Sequence, residues 1–456
     1  MFGLMALILA VLTIAAYVLG RRRATAAAGG DLSVLHSRPV YHGAYAALLT
    51  FLAAFAAAAV AALVLRWFVD GSLNSLISEL APSLSSIERD LVRSDAAAIS
   101  GGGFPSRVDE LRQTVAARHG TLAGLSAVLI PGLALAAGLA TLWTALKRVN
   151  VDFRARNLSE RIVMGVLIAA AVVAILTTVG ILTSLIGETA RFFSQIPVHK
   201  FLFGSTWSPL SGVFEGRLDQ ERVGALPLFA GTLLITFIAM LVALPIGLFA
   251  AIYLAEYASP RMRSTVKPIL EILAGVPTVV YGFFAAITVA PVIRGIGEAL
   301  GLSVASESAL GAGLVMGVMI IPFISSLSDD VITAVPQALR DGSLGLGSTH
   351  AETIKKVVLP AALPGLVSAA LLGFARAIGE TMIVVMAAGQ GANFTFNPLE
   401  AVTTVTVQIV MLITGDTEAS TAAGPAFALG FTLFVVTLGF NIVAQRLVRK
   451  YREAYD

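Results

Sequence analysis

The chain is predicted to be all-α, a polytopic bundle of about nine membrane-spanning helices. Two observations carry that prediction. The first is composition: of 456 residues, 57% are hydrophobic and only 13% charged, with a mean hydropathy of +0.86, against roughly 25% charged residues in a soluble protein. The second is segmentation, because apolar runs of about 20 residues, the length that crosses a hydrocarbon core about 30 Å thick, recur along the chain. A transmembrane barrel would instead alternate over segments of about 10 residues, and no such pattern dominates.

The spans fall at 1–20, 44–65, 121–146, 162–186, 228–254, 269–292, 309–327, 357–388 and 427–444. The first has no basic segment ahead of it and is followed by Arg21, Arg22 and Arg23, so it reads as an anchor and not as a secretion signal. With those arginines in the cytoplasm, 19 of the 31 lysines and arginines lie in cytoplasmic segments, 11 lie outside, and Arg376 lies within a span. Cytoplasmic loops carry the excess of basic residues. The expected topology therefore has the N-terminus outside and the C-terminus, ending RLVRKYREAYD, in the cytoplasm.

Two outside loops are long. In 67–120, Leu84, Ile87 and Leu91 have the spacing of an amphipathic helix, and Gly101, Gly102, Gly103 and Pro105 predict a break between two short helices. In 187–227, the aromatics of FLFGSTWSP (201–209) are expected at the membrane interface. Residues 397–414 are apolar but short and are interrupted by Thr403, Thr404, Thr406 and Gln408, which suits a re-entrant or surface segment. Composition changes near Asn150. Residues 1–150 have three alanine-rich spans with no intramembrane charge; the six spans of 151–456 carry prolines, glycines and a charged pair and read as the working core.

Several chemistries are excluded. With no cysteine there is no disulfide or thiolate site, and the five histidines are scattered without metal-ligand spacing, so neither metal nor cofactor is expected. A net charge of +3 gives no indication of a nucleic-acid partner. No phosphate-binding G-x-x-x-x-G-K-[ST] loop or catalytic serine motif is present, so the chain is not read as an enzyme, and any ATP would be hydrolysed by a separate subunit.

What remains is a small set of residues placed where they are costly. Arg376 and Glu380, at i and i+4, are expected to share a helix face and touch. Ionisable groups inside a span mark function by default, and an arginine fork suits an oxyanion. Gly275 and Pro277 interrupt the sixth span as a possible hinge, with ordinary packing as the equal alternative. Glu256, Arg261, Arg263 and Lys267 read as solvated helix ends or headgroup contacts.

Two stretches add a resemblance. Asp341-Gly342-Ser343, three residues, Gly347, nine residues and Val357-x-Leu359-Pro360 have the spacing of the EAA loop of ABC importer permeases, with Asp-Gly-Ser in place of Glu-Ala-Ala. FARAIGETMIVVMAAGQ (374–390) resembles the signature of PstC-type phosphate importer permeases, and 270–284 and FLFGSTW agree with it. The resemblance covers about 159–450 and leaves 1–150 as an N-terminal membrane extension. It implies that the last six spans form a type I ABC importer permease core, half of a pathway for inorganic phosphate. Residues 335–360, including Leu359 and Pro360, would be the cytoplasmic coupling loop, and Arg376, Glu380 and Thr381 would line or gate the pathway. The implied partners are a PstA-type permease, a PstB-type ATPase dimer and a periplasmic phosphate-binding protein. The alternatives are a permease for molybdate, sulfate or phosphonate, and a non-transporting membrane sensor of phosphate.

Overall fold

The computed structural model describes residues 2–29, 31–209, 221–414 and 419–452. Part of the second long loop (210–220) and the end of the basic tail (453–456) therefore lie outside the described residues. Among those described, regular structure is helical apart from one antiparallel bridge between Trp207 and Val223. Nine of the described helices are long and apolar enough to cross a membrane. The chain divides into two compact units, Met1–Leu176 and Thr177–Asp456, the division falling inside one long helix.

The first unit contains α1 (Phe2–Ala27), α2 (Pro39–Leu80), α3 (Ser86–Gly101), α4 (Glu110–Arg148) and the start of α5 (Ala155–Gln195). Its membrane part packs through small residues: Ala16, Ala46 and Ala145 in one cluster, Ala58, Ala61 and Ala134 in another. Lipid offers no hydrophobic drive between helices, so close backbone approach has to supply the attraction. A Cβ on Gly20 would sit 2.9 Å from the His42 carbonyl oxygen, which shows how near α1 and α2 come.

Helices α2 and α4 have 42 and 39 residues, about 60 Å each at 1.5 Å per residue, twice what the hydrocarbon layer needs. Their surplus ends and α3 form a small headpiece around Leu73, Ile77, Val92, Ala96, Val115 and Ala116. The sequence pattern predicted two short helices here. Only α3 is separate, because α2 and α4 run on through the proposed loop. The face also differs: Ile87 is 73% exposed, and the buried residues of α3 are Val92, Asp95 and Ala96. A Ser85–Glu88 capping box starts α3, and Gly102, at φ +73°, ends it. The buried Asp95 carboxylate takes bonds from Arg112 Nε at 2.7 Å and the Ser106 amide at 2.7 Å, which the apolar spacing alone could not reveal.

The second unit is built on α7 (Leu226–Ile252) and α11 (Ala309–Thr333). Helix α11 is the central post, buried along most of its length. Ile235, Ile238, Ala239, Met316, Met319, Ile320 and Ile324 form the main core. Around it lie α6 (Val198–Phe203), α8 (Pro260–Ala274), α9 (Thr278–Phe284), α10 (Ala290–Ala299), α12 (Gln337–Gly345), α13 (His350–Thr353), α14 (Leu359–Ile378), α15 (Met382–Ala387), α16 (Val405–Thr414) and α17 (Ala419–Arg452). Three π-helical turns, Tyr253–Tyr257, Ala285–Val289 and Ile354–Val358, continue α7, join α9 to α10 and join α13 to α14.

Two spans end elsewhere than expected. The sixth begins at Thr278, not at 269, because Gly275 to Pro277 separate α8 from α9 completely. The eighth runs over His350–Ile378 and stops, where 357–388 was expected to continue. Residues 397–414 hold only the ten-residue α16, about 15 Å long and too short to cross. The FLFGSTWSP aromatics are not interfacial as a group. Phe201 and Trp207 are buried with Phe192 and Leu228, and only Phe203 faces outward, 74% exposed.

Candidate functional site

Two regions of the second unit carry the predicted site residues. The first is the knob 335–360. Pro336 precedes α12, Gly347 turns the chain at φ +87°, and a Thr349–Glu352 capping box opens α13, giving the helix–turn–helix that the spacing predicts. Gly347 is the position that needs glycine, since a side chain is strained in the left-handed region. Asp341 accepts from Gln337 Nε2 at 3.0 Å on the exposed side. Gly342 and Gly347 are open to solvent, and a Cβ on either would meet nothing within 4 Å. Ser343 Oγ meets Thr353 Oγ1 at 2.9 Å, pinning the two arms of the knob together. Leu359 and Pro360 begin α14 directly after the π turn and are partly buried. Leu339, Leu344 and Leu346 are exposed, Leu346 by 90%, leaving an apolar outer surface.

Sequence reasoning missed what holds this knob. Arg340 donates to Glu256 Oε1 at 3.0 Å, to the Ile332 carbonyl at 2.8 Å and to the Val335 carbonyl. Nearby, Asp329 is 1% exposed and takes Arg263 Nη2 on both oxygens, at 3.0 and 2.9 Å, and Lys267 Nζ at 2.8 Å. Lys267 also reaches Asp330 at 2.8 Å, and the two carboxylates hold its ammonium above the usual lysine range, Asp329 contributing most. The prediction that Glu256, Arg263 and Lys267 are solvated ends is therefore corrected: they staple α7 and α8 to α11 and α12. Each partner is more than 60 residues distant in sequence, so no local pattern exposes them. A cleft of about 310 Å³ lies against this network, lined by Glu256, Arg263, Gln337, Arg340, His350 and Thr353 among others.

The second region is the break after α14. Arg376 occupies the last turn of α14, and Gly379 ends the helix one residue before Glu380. The expected Arg376–Glu380 pair is not formed, because residues on either side of a helix end no longer share a helical face. Arg376 instead lies over Phe323, 5.5 Å from the ring centroid, with Nη2 3.9 Å from Met319 Sδ. Glu380 is 9% exposed and turns its Oε1 onto the amides of Met382, at 3.0 Å, and Ile383, at 3.3 Å. Its carbonyl accepts from Thr406 Oγ1 at 3.1 Å, and Thr406 meets Thr404 at 3.0 Å. Thr381 is the N-cap of α15, its hydroxyl 3.4 Å from the Gly379 carbonyl.

The polar interruptions of 403–408 thus have partners. Gln408 accepts from Trp207 Nε1 at 2.9 Å and donates to the Gln390 carbonyl at 2.9 Å. Buried polar groups need such bonds, and here they fold the 391–404 segment back into the bundle. The predicted hinge is drawn into the same region. Gly275 and Pro277 are exposed in the break, the Leu273 carbonyl accepts from the Val276 amide at 3.3 Å and from Tyr281 Oη at 3.0 Å, and a Cβ on Gly282 would lie 3.0 Å from the Met382 carbonyl. Among the described residues, no group of three or more His, Cys, Asp or Glu side chains is placed to hold a metal.

The arrangement offers a cation at the end of a broken span, a buried carboxylate just past the break, and an exposed knob at the other end of the same helical run. Comparison with known proteins identifies the family. The family described as "Binding-protein-dependent transport system inner membrane component" matches residues 243–453. A second, described as "Phosphate ATP-binding cassette transporter", matches residues 6–177, so the part that the motifs leave uncovered has a family of its own. The probable ABC transporter permease protein YqgH of Bacillus subtilis is 32% identical over 248 residues, 54% of this chain and 77% of the relative. The phosphate transport system permease protein PstC 1 of Mycobacterium tuberculosis is 35% identical over 246 residues, 50% of this chain and 72% of the relative. PstC of Pasteurella multocida is 32% identical over 297 residues, 61% of this chain and 88% of the relative. With nine apolar helices and these relatives, the chain belongs to the PstC-type permeases of ABC transporters, multi-pass proteins of the inner membrane.

Proposed function

We propose that this chain forms half of the translocation pathway of an ATP-driven importer of inorganic phosphate. The observation that carries the reading is the 35% identity to a phosphate transport permease, joined to a family match described as a phosphate transporter over the first unit. Relatives of this kind work with an ATPase and a binding protein. The finer assignment is a PstA-type permease, two copies of a PstB-type ATPase and a periplasmic phosphate-binding protein. The N-terminus lies outside and the C-terminus in the cytoplasm, which puts the 335–360 knob on the ATPase side.

In this reading the exposed leucines of the knob seat on the ATPase, and closure of the ATPase dimer moves α14 through the knob. Arg376 is the phosphate-facing group. Among the described residues its guanidinium meets an aromatic face and a thioether, both weak partners compared with an oxyanion. Glu380 is held away from it by two amides, so the arginine's charge is left for a ligand. Gly275–Pro277 and Gly379 are the joints at which the pathway helices bend.

The test is uptake of radiolabelled phosphate by the assembled complex in vesicles, with unlabelled sulfate, molybdate and phosphonate as competitors. Uptake resisting all three supports phosphate. Uptake abolished by one of them at equal concentration reassigns the substrate, and ATP-independent signalling without uptake makes the chain a sensor.

A further inference from the structure

We infer that Arg340 and Glu256 are positioning residues that transmit movement of the knob into α7, and that transport is coupled to ATP hydrolysis through this pair. The inference rests on the reading of 335–360 as the ATPase-coupling loop and adds the route by which that loop acts on the pathway.

Helix α12 has two faces. Leu339 and Leu344 point outward, 47% and 44% exposed, whereas the Arg340 side chain points inward and is only 13% exposed. Its fork reaches Glu256, itself 7% exposed, at 3.0 Å, and takes the Ile332 and Val335 carbonyls at the end of α11. One side chain therefore grips two membrane helices. Ser343, through Thr353, ties α12 to α13, which leads through the π turn into α14.

Apolar packing ties α7 to the ends of the knob, where Ala251 is buried with Val335 and Val358, and the Arg340–Glu256 ion pair adds a direct link from α12. The cleft of about 310 Å³ lies between α12 and the bundle, with Glu256 and Arg340 both in its wall. The ion pair spans this cleft. Arginine suits this task, since its planar fork loses less freedom per bond than lysine's ammonium. Glu256 also sits within the π turn Tyr253–Tyr257. Such a turn holds one residue more than an α turn and marks places where helices yield. A pull on Glu256 acts on the π turn that continues α7.

The experiment uses the whole complex in proteoliposomes, with ATP hydrolysis and labelled phosphate uptake measured in the same vesicles. Glu256→Gln keeps the shape and removes the charge. Hydrolysis is expected to stay within about twofold of wild type while phosphate moved per ATP falls about tenfold, inside the roughly 5–150-fold range of ordinary coupling between sites. An unchanged ratio overturns the inference. If Glu256→Gln does not assemble, Arg340→Lys, which keeps the charge and loses the fork, decides. A lowered ratio supports transmission, and parallel loss of hydrolysis, uptake and assembly shows a merely structural pair. A wild-type complex that hydrolyses ATP but moves sulfate or molybdate and not phosphate would overturn the substrate reading alone, because the pair is then read on the anion that does move.

Discussion

Replacing Asp329 with asparagine preserves the size of the side chain and removes the charge that staples α8 to α11. In the native chain its carboxylate, 2% exposed, takes three charge-assisted bonds, two from Arg263 and one from Lys267. Bonds to charged groups contribute about 1.5–3 kcal/mol each, and breaking a fully buried pair costs about 3–5 kcal/mol. The two cations here are 32% and 28% exposed. They regain water when released, which lowers the estimate to about 2–3 kcal/mol. Because α8 contributes no buried residue of its own, the loss falls on its docking and not on the whole bundle. Amide exchange in 260–274 is expected to accelerate roughly 30–150-fold, the factor that matches this free energy. Hydrogen exchange read by mass spectrometry measures it, with 309–333 as the internal reference. Acceleration below about threefold, or equal acceleration in both segments, would refute the staple. The linkage has a definite sign. Lys267 is raised above 10.5 by Asp329 and then Asp330, so its contribution is complete below pH 10.5 and is lost as pH climbs through the raised value. At neutral pH the wild-type staple is intact.

Arg376→Gln is expected to abolish most phosphate uptake while the complex still assembles and hydrolyses ATP; normal uptake would remove Arg376 from the pathway. Gly231→Ala drives a Cβ into the Thr403 carbonyl oxygen, an overpacking that costs about 1–3 kcal/mol and should lower the melting temperature in detergent. Trp207→Phe deletes the 2.9 Å bond to Gln408 and leaves a buried acceptor unpaired for about 1–3 kcal/mol, visible as faster proteolysis within 391–404. Asp95 is held below 3.8, first by Arg112 and then by the Ser106 amide. Its contribution is therefore present above pH 3.8 and lost as pH falls through the lowered value. Protection of the 86–101 amides should hold at pH 5 and fail in stronger acid, and Asp95→Asn should weaken that dependence, leaving the part due to Glu88, which the Ser85 bonds also hold low.

Much of this architecture was legible because it is local. The span count follows from runs of apolar residues, and the knob follows from the distances between Asp341, Gly347 and Pro360. Position Gly347 shows why spacing works: a left-handed turn needs glycine, and the helices on either side set its place. Arg376 and Glu380 show where spacing misleads. Four residues apart, they look like a helical pair, but Gly379 ends the helix between them and the Met382 and Ile383 amides claim the carboxylate. Helix propensity carries no warning of that competition. The Asp329 staple and the Trp207–Gln408 bond join residues 62 to 201 positions apart, and only the folded chain brings them together. In α3, Ile87 fits an apolar stripe, yet the buried position goes to Asp95 because Arg112 neutralises it.

The overlong helices α2 and α4 place one continuous backbone in two solvents. Their lipid-embedded lengths answer to bilayer thickness and to the fit of alanine against alanine. Their projecting ends, closed by α3, answer to water, and so to urea, salt and acid. The two parts should therefore melt separately. A denaturant that leaves the spans untouched would fray the same helices from the tip inward, and the point where fraying stops would mark the edge of the membrane on the chain itself.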